Sequence, residues 1–118
     1  MIYKSRFTEI GPAALRMLEK NMLILFNDDA PVGLRDISAM HEICDIDGEI
    51  EEGQIINVSG MEYQVVAVGE QVNESFKKLG HCCLIFNGGD KPALPCQIML
   101  KGEDLPADIK VGDYLIIE

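Results

Sequence analysis

Tryptophan is absent from this 118-residue chain, and its aromatic complement is three tyrosines and four phenylalanines. Leu, Ile, Val and Met must therefore fill the interior. Positive charge is also scarce: 10 Lys and Arg stand against 20 Asp and Glu, a formal net charge of −10. A surface that negative repels phosphate backbones, which argues against nucleic acid as a partner. It suits the capture of a basic protein and equally serves solubility. Long apolar runs are missing too. "MLILF" (Met22–Phe26) is the longest, far short of the roughly 20 residues that cross a bilayer. The opening "MIYKSRFTEI" has neither an apolar h-region nor a small-residue cleavage site, so no secretory signal is read there. Among the four cysteines no C-x-x-C pair occurs, and Cys82 and Cys83 are adjacent. Reduced, partly buried thiols in a cytoplasmic protein are the expectation.

At this length the chain suits one domain spanning residues 1–118, able to bury a core without staples. Its 47% hydrophobic fraction with mixed charge argues for a globule rather than a disordered segment. Strand signals dominate. "MLILF", "GQIINV" (Gly53–Val58), "EYQVVAVG" (Glu62–Gly69), "HCCLIF" (His81–Phe86), "CQIML" (Cys96–Leu100) and "DYLIIE" (Asp113–Glu118) are short and apolar or β-branched. Turn formers separate them, including Asn27-Asp28-Asp29, Asn87-Gly88-Gly89, Gly102 and Gly112. Ser59-Gly60 reads as a two-residue hairpin loop, and Asp47-Gly48 as a further turn. "IYKSRFTEI" alternates and is expected to add an edge strand. This spacing suggests a barrel or a sandwich.

Two short helices are predicted. Pro12–Lys20 places proline in the first turn, followed by good helix formers. Asn73–Gly80 offers Asn73 as N-cap, Phe76 and Leu79 on one face, and Gly80 as the C-terminal stop. Both need packing against the sheet to persist.

Chemistry-bearing residues are few. His41-Glu42-Ile43-Cys44 and His81-Cys82-Cys83 hold side chains that zinc accepts, but adjacent cysteines on a strand point to opposite faces. A zinc- or ligand-binding β-module using His41, His81 and nearby cysteines is the alternative reading. Cys–His nucleophile pairs can be assembled from any such composition, and no P-loop or dinucleotide fingerprint occurs. Within "ISAMHEICD", read as a strand, Ile37, Ala39, His41 and Ile43 share a face. Leu79, His81, Cys83 and Ile85 do the same in "LGHCCLIF". A histidine among apolar neighbours is commonly a packed residue with one hydrogen bond. It is also a group whose neutral ring attacks or carries protons near physiological pH.

Three stretches decide between those readings: "NMLILFNDDAPVGLRDISAMH" (Asn21–His41), "YQVVAVGEQVNESFKKLGHCCLIFNG" (Tyr63–Gly88) and "LPADIKVGDYLII" (Leu105–Ile117). Together they resemble the enzyme IIA component of the glucitol/sorbitol-specific phosphoenolpyruvate-dependent phosphotransferase system, over nearly the whole chain. The resemblance implies a mainly β fold, a compact single-domain β-barrel with one or two short helices. It carries the phosphorylated-histidine role onto His41, which follows "APVGL" (Ala30–Leu34), and places His81 at the family's second histidine. In one place the chain departs from the family's pattern: "HEICDIDGEI" stands where an H-x-H-G-E-L segment follows the active histidine.

By the same resemblance, the phosphohistidine of the phosphocarrier protein HPr gives its phosphoryl group to His41. His41 passes it to a cysteine of the sorbitol-specific IIB component, and the membrane component IIC imports the sugar alcohol. No cofactor or metal is implied. Such a transfer needs a neutral His41 with one ring nitrogen exposed and the other held by an acceptor, a backbone carbonyl rather than the Glu42 side chain. The charge on the equatorial oxygens calls for donors. His81, as imidazolium or neutral donor, is the candidate phosphoryl stabiliser. The carboxylates of Asp45–Glu52 are expected to form a rim that attracts a basic partner. Exposed edge strands would also permit a homodimer.

Overall fold

Strand β1 (Tyr3–Ile10) shows how the sheet is built: Tyr3, Ser5 and Phe7 are buried, whereas Lys4, Arg6 and Thr8 are exposed. That period of two is the mark of a strand with one face on a core. The computed structural model describes residues 1–106 and 108–118. Helix α1 (Ala14–Leu18), β2 (Met22–Asn27), helix α2 (Val32–Arg35) and β3 (Ser38–His41) follow β1. Then come β4 (Ile55–Val58), β5 (Met61–Val68), helix α3 (Val72–Leu79), β6 (Cys82–Phe86), β7 (Gln97–Lys101) and β8 (Tyr114–Ile117).

The strands close into a barrel in the order β1-β3-β2-β6-β7-β5-β4-β8. β2 runs parallel to β3, and β6 to β7, while the other neighbours are antiparallel. Inward residues of every strand meet in one cluster that includes Tyr3, Phe7, Leu25, Tyr63, Phe86 and Leu115. α3 adds Val72 and Phe76 to it. A smaller cluster of Phe26, Ala30 and Met40 lies on the other side of β2 and β3 and is closed by Leu34 of α2.

The β4–β5 hairpin turns at Ser59-Gly60 with both residues at positive φ, 53° and 94°. Asn57 Oδ1 accepts the Gly60 N–H at 2.8 Å and fixes the turn.

Several expectations are corrected. β1 is not an edge, because it pairs with β3 on one side and β8 on the other. Closure likewise removes the free edges that suggested a homodimer. Among the described residues three helices form where one or two were expected, the unforeseen one being α2. The helix predicted over Pro12–Lys20 narrows to Ala14–Leu18. Asn73 does not cap α3. Gln71 holds that position, and Asn73 spends its carboxamide on Ile50, accepting its N–H at 2.7 Å and donating to its carbonyl at 3.1 Å. Leu79 is 51% exposed rather than packed beside Phe76.

A candidate phosphotransfer site around two histidines

β3 is buried along its whole length. It lies between β1 and β2, so Ala39 and His41 face the main core while Met40 faces the smaller cluster. Ile43 lies beyond the strand and is 61% exposed, so the four-residue face expected for Ile37 to Ile43 ends at His41. His41 itself has 0% exposure. This corrects the expectation of a ring nitrogen open to a partner. The cause is coverage by α3: Phe76 lies nearly parallel to the imidazole, and the Gly80 peptide closes over its outer nitrogen.

Both ring nitrogens are engaged, each with a backbone carbonyl in range, and the shorter contacts select the tautomer. His41 Nε2 lies 2.9 Å from the carbonyl oxygen of Gly80, which only accepts, so Nε2 carries the hydrogen. Nδ1 then keeps its lone pair and accepts from the Tyr3 hydroxyl at 2.8 Å. Ser5 Oγ is 3.4 Å and the Glu42 carbonyl oxygen 3.2 Å from the same nitrogen. The Glu42 carboxylate turns away and accepts the Arg6 N–H at 2.9 Å. The Gly80 and Glu42 carbonyls rather than that side chain face the ring, but the nitrogen away from Gly80 is held by a donor, Tyr3, and not by the expected acceptor. Burial pushes the His41 pKa down, against the opposing pull of the Gly80 and Glu42 carbonyls and of Asp28. The ring is therefore neutral at rest.

Gly80 is positioned by its own geometry. As the C-cap of α3 it adopts left-handed φ of 61°, and its N–H bonds the Phe76 carbonyl at 2.9 Å. A Cβ there would stand 2.0 Å from Asn27 Oδ1 and 2.8 Å from His41 Cε1. Asn27, opposite His41 in the β2–β3 register, is therefore part of the wall around the imidazole. Sequence reasoning placed Asn27 in a turn, whereas it is the last residue of β2, and gave neither Asn27 nor Tyr3 a role in the site. The only signal for Tyr3 was its place in the alternation of β1.

His81 directly follows Gly80 and, like His41, stacks on a Phe and faces a backbone carbonyl, but it is less buried. It is half-buried, stacks on Phe26 with centroids 4.1 Å apart, and its Nδ1 lies 3.0 Å from the Leu25 carbonyl oxygen. That carbonyl places the hydrogen on Nδ1. Among the described residues, Ser59 Oγ is the buried side-chain polar atom without a partner, so the unpartnered Nε2 of His81 reaches the surface. A neutral His81 in this tautomer accepts at Nε2. Donation there needs the imidazolium, which corrects the expectation of a neutral donor. Its outward face also holds Cys83 and Ile85, whereas Cys82, Leu84 and Phe86 point inward.

The cysteines are all free. Burial lifts the Cys82 thiol pKa well above its ordinary value and raises that of Cys83 to about 11. Among the described residues, no three His, Cys, Asp or Glu side chains gather as a metal would require. Among the described residues the zinc alternative thus finds no ligand set.

The closed site meets one of the two requirements for histidine-borne transfer: the His41 imidazole is neutral, but neither of its nitrogens is open. The sequence model of the PTS system glucitol/sorbitol-specific IIA component family matches residues 2–116. The chain belongs to that family. It is 30% identical over 118 residues to the PTS system glucitol/sorbitol-specific EIIA component of Escherichia coli, covering 100% of this chain and 95% of the relative. The protein of the same description from Shigella flexneri is equally similar, 30% over the same shares. The crystal structure of a PTS system IIA component from Enterococcus faecalis shares the fold, with a TM-score of 0.83 at 23% identity over 97% of this chain and 98% of that one. As a member of the glucitol/sorbitol IIA family, the chain is a component of a phosphotransferase system and works with its other proteins. No helix among the described residues is long and apolar enough to cross a membrane.

Proposed function

We propose that this IIA component is a cytoplasmic phosphocarrier that takes a phosphoryl group from phospho-HPr onto His41 Nε2. It then hands the group to the cysteine of the sorbitol-specific IIB component, which serves the membrane component IIC. The observation that carries the reading is the family match over residues 2–116. The neutral state of His41 supports it, because only an unprotonated nitrogen attacks phosphorus.

The closed geometry sets a condition on the reaction. Nε2 attacks only after the Gly80 carbonyl has moved off it and the ring hydrogen has moved to Nδ1. The N–P bond then forms at His41 as the donor's N–P bond breaks, and the donor imidazole leaves with the electron pair. The phosphorylated ring carries one positive charge and its hydrogen on Nδ1, facing the Glu42 carbonyl and the Tyr3 hydroxyl. His81 is adjacent through the Gly80 peptide and serves the phosphoryl oxygens as an imidazolium donor.

One observation favours a second reading, with His81 as the acceptor: its Nδ1–H is anchored on Leu25 and its Nε2 is open without any rearrangement. Incubation with phosphoenolpyruvate, enzyme I and HPr, followed by mass spectrometry, separates the two. One acid-labile phosphoryl group lost in folded His41→Ala and kept in His81→Ala supports the leading reading. The reverse pattern moves the site to His81, and no labelling of the unmodified protein rejects the carrier function.

A further inference from the structure

We infer that Tyr3 is a positioning residue for His41, holding its ring through both tautomers that the transfer needs; this rests on the carrier reading with His41 as acceptor. The Tyr3 hydroxyl is buried with the ring and lies 2.8 Å from His41 Nδ1 and 3.3 Å from the Glu42 carbonyl oxygen. The Tyr3 ring is held in place independently of that bond. It meets Phe76 edge-on at 4.9 Å and His41 edge-on at 5.8 Å. Its main chain lies opposite Ile117 in β8.

The hydroxyl has a property that no other group around Nδ1 combines with this distance: it both donates and accepts. At rest it donates to the Nδ1 lone pair while Nε2–H is bound to Gly80. The Glu42 carbonyl oxygen, 3.2 Å from the same nitrogen, only accepts and so cannot donate to that lone pair. In the reactive ring the hydrogen sits on Nδ1 and the lone pair on Nε2. Tyr3 Oη then accepts from Nδ1 and turns its own hydrogen to the Glu42 carbonyl, already within reach. The change removes one proton from Nε2 and places one on Nδ1, both exchanged with water while the site is open. The imidazole stays neutral, and burial, which raises the phenol pKa, keeps Tyr3 un-ionised. Ser5 Oγ, the other hydroxyl nearby, is 3.4 Å from Nδ1 and too distant to replace it fully.

The test compares Tyr3→Phe with Tyr63→Phe. The second removes a buried-ring hydroxyl that bonds the Asp104 carbonyl, away from His41, and controls for general loss of stability. Phosphorylation by the phosphohistidine donor should slow by about 10- to 100-fold in Tyr3→Phe, the usual effect of losing an orienting partner. In Tyr63→Phe it should stay near the unmodified rate. Nitrogen-15 spectra of the unmodified protein should show His41 Nε2 protonated and Nδ1 bare, and Tyr3→Phe should shift that balance toward Nδ1–H. Unmodified His41 found with Nδ1 protonated overturns the inference even if Tyr3→Phe fails to fold. So does a folded Tyr3→Phe with unchanged rate and unchanged ring-nitrogen signals. Failure of the unmodified protein to accept phosphate rejects the carrier reading instead, and leaves the ring-nitrogen measurement to decide the tautomer.

Discussion

The ring of Phe76 lies over that of His41, 16° from parallel and 5.7 Å between centroids. Phe76 is 4% exposed and belongs to the main core, so one side chain both anchors α3 and roofs the imidazole. Removing it in Phe76→Ala should cost about 3–5 kcal/mol, the usual loss for a buried Phe truncated to Ala. That is a large share of the roughly 5–15 kcal/mol that holds a domain together. Urea unfolding measures the loss. The same variant admits water beside His41, so the ring should titrate closer to its ordinary value; an unchanged titration would mean that other groups keep the ring dry.

Protonation of His41 links the site to stability. Burial depresses its pKa in the folded protein, while in the unfolded chain the ring titrates near its ordinary value of about 6.5. Between the two values the unfolded state binds more protons, so unfolding free energy rises with pH there. The contribution is complete above about pH 6.5 and is lost as pH falls from there toward the depressed folded value. One such group changes stability by at most about 1.4 kcal/mol per pH unit. An NMR titration should find the His41 ring still neutral at pH values where a free histidine is charged. A midpoint at or above the free value would contradict the environment described here.

How far this site could be read in the sequence differs from residue to residue. Gly80 as the stop of α3 was legible, because a glycine after an amphipathic turn has a local reason to be there. What its carbonyl binds was not, since His41 lies 39 positions away along the chain. Alternation in the strands marked Cys82 and Cys83 as facing opposite ways, which the exposures bear out. For β1 alternation marked the strand and its inward face but not its place in the sheet, because whether a strand is an edge depends on a pairing with β8 at the far end of the chain. At His41 it marked the face shared with Ala39 but not the depth, because β3 is covered on both faces and even its polar Ser38 and His41 are buried. The family, and the choice of a barrel over a sandwich, were carried by resemblance; burial of His41 was offered by its apolar neighbours as the packed-residue reading, and it contradicts the exposed nitrogen that the resemblance called for.

Gly80→Ala probes the cover directly. A left-handed residue with a Cβ costs about 1–2 kcal/mol in backbone strain alone. Gly53→Ala supplies that reference, since Gly53 has φ of 90° and nothing within 4 Å of the added carbon. Gly80→Ala should lose clearly more than Gly53→Ala in denaturant unfolding, because its Cβ also strikes Asn27 and His41. Adding Asn27→Ala should recover part of the excess, since contacting residues do not act additively. Equal losses at the two glycines would show that the Gly80 turn already moves freely.

Two kinds of variant should separate docking from chemistry by their response to salt. Glu51 and Glu52 are exposed on the acidic stretch that follows His41, where they would attract a basic partner without touching the imidazole. Charges on the surface act across roughly 10 Å at 0.1 M salt and over less at higher salt. Glu51→Gln with Glu52→Gln should therefore slow phosphorylation by phospho-HPr at low ionic strength, and its rate should meet that of the unmodified protein as salt rises. Tyr3→Phe acts on a bond inside the barrel, which mobile ions do not reach, so its deficit should persist at every salt concentration. Stopped-flow rates over a salt series measure both. A carboxylate deficit that does not shrink with salt would remove the acidic stretch from the encounter and leave its charge to solubility alone.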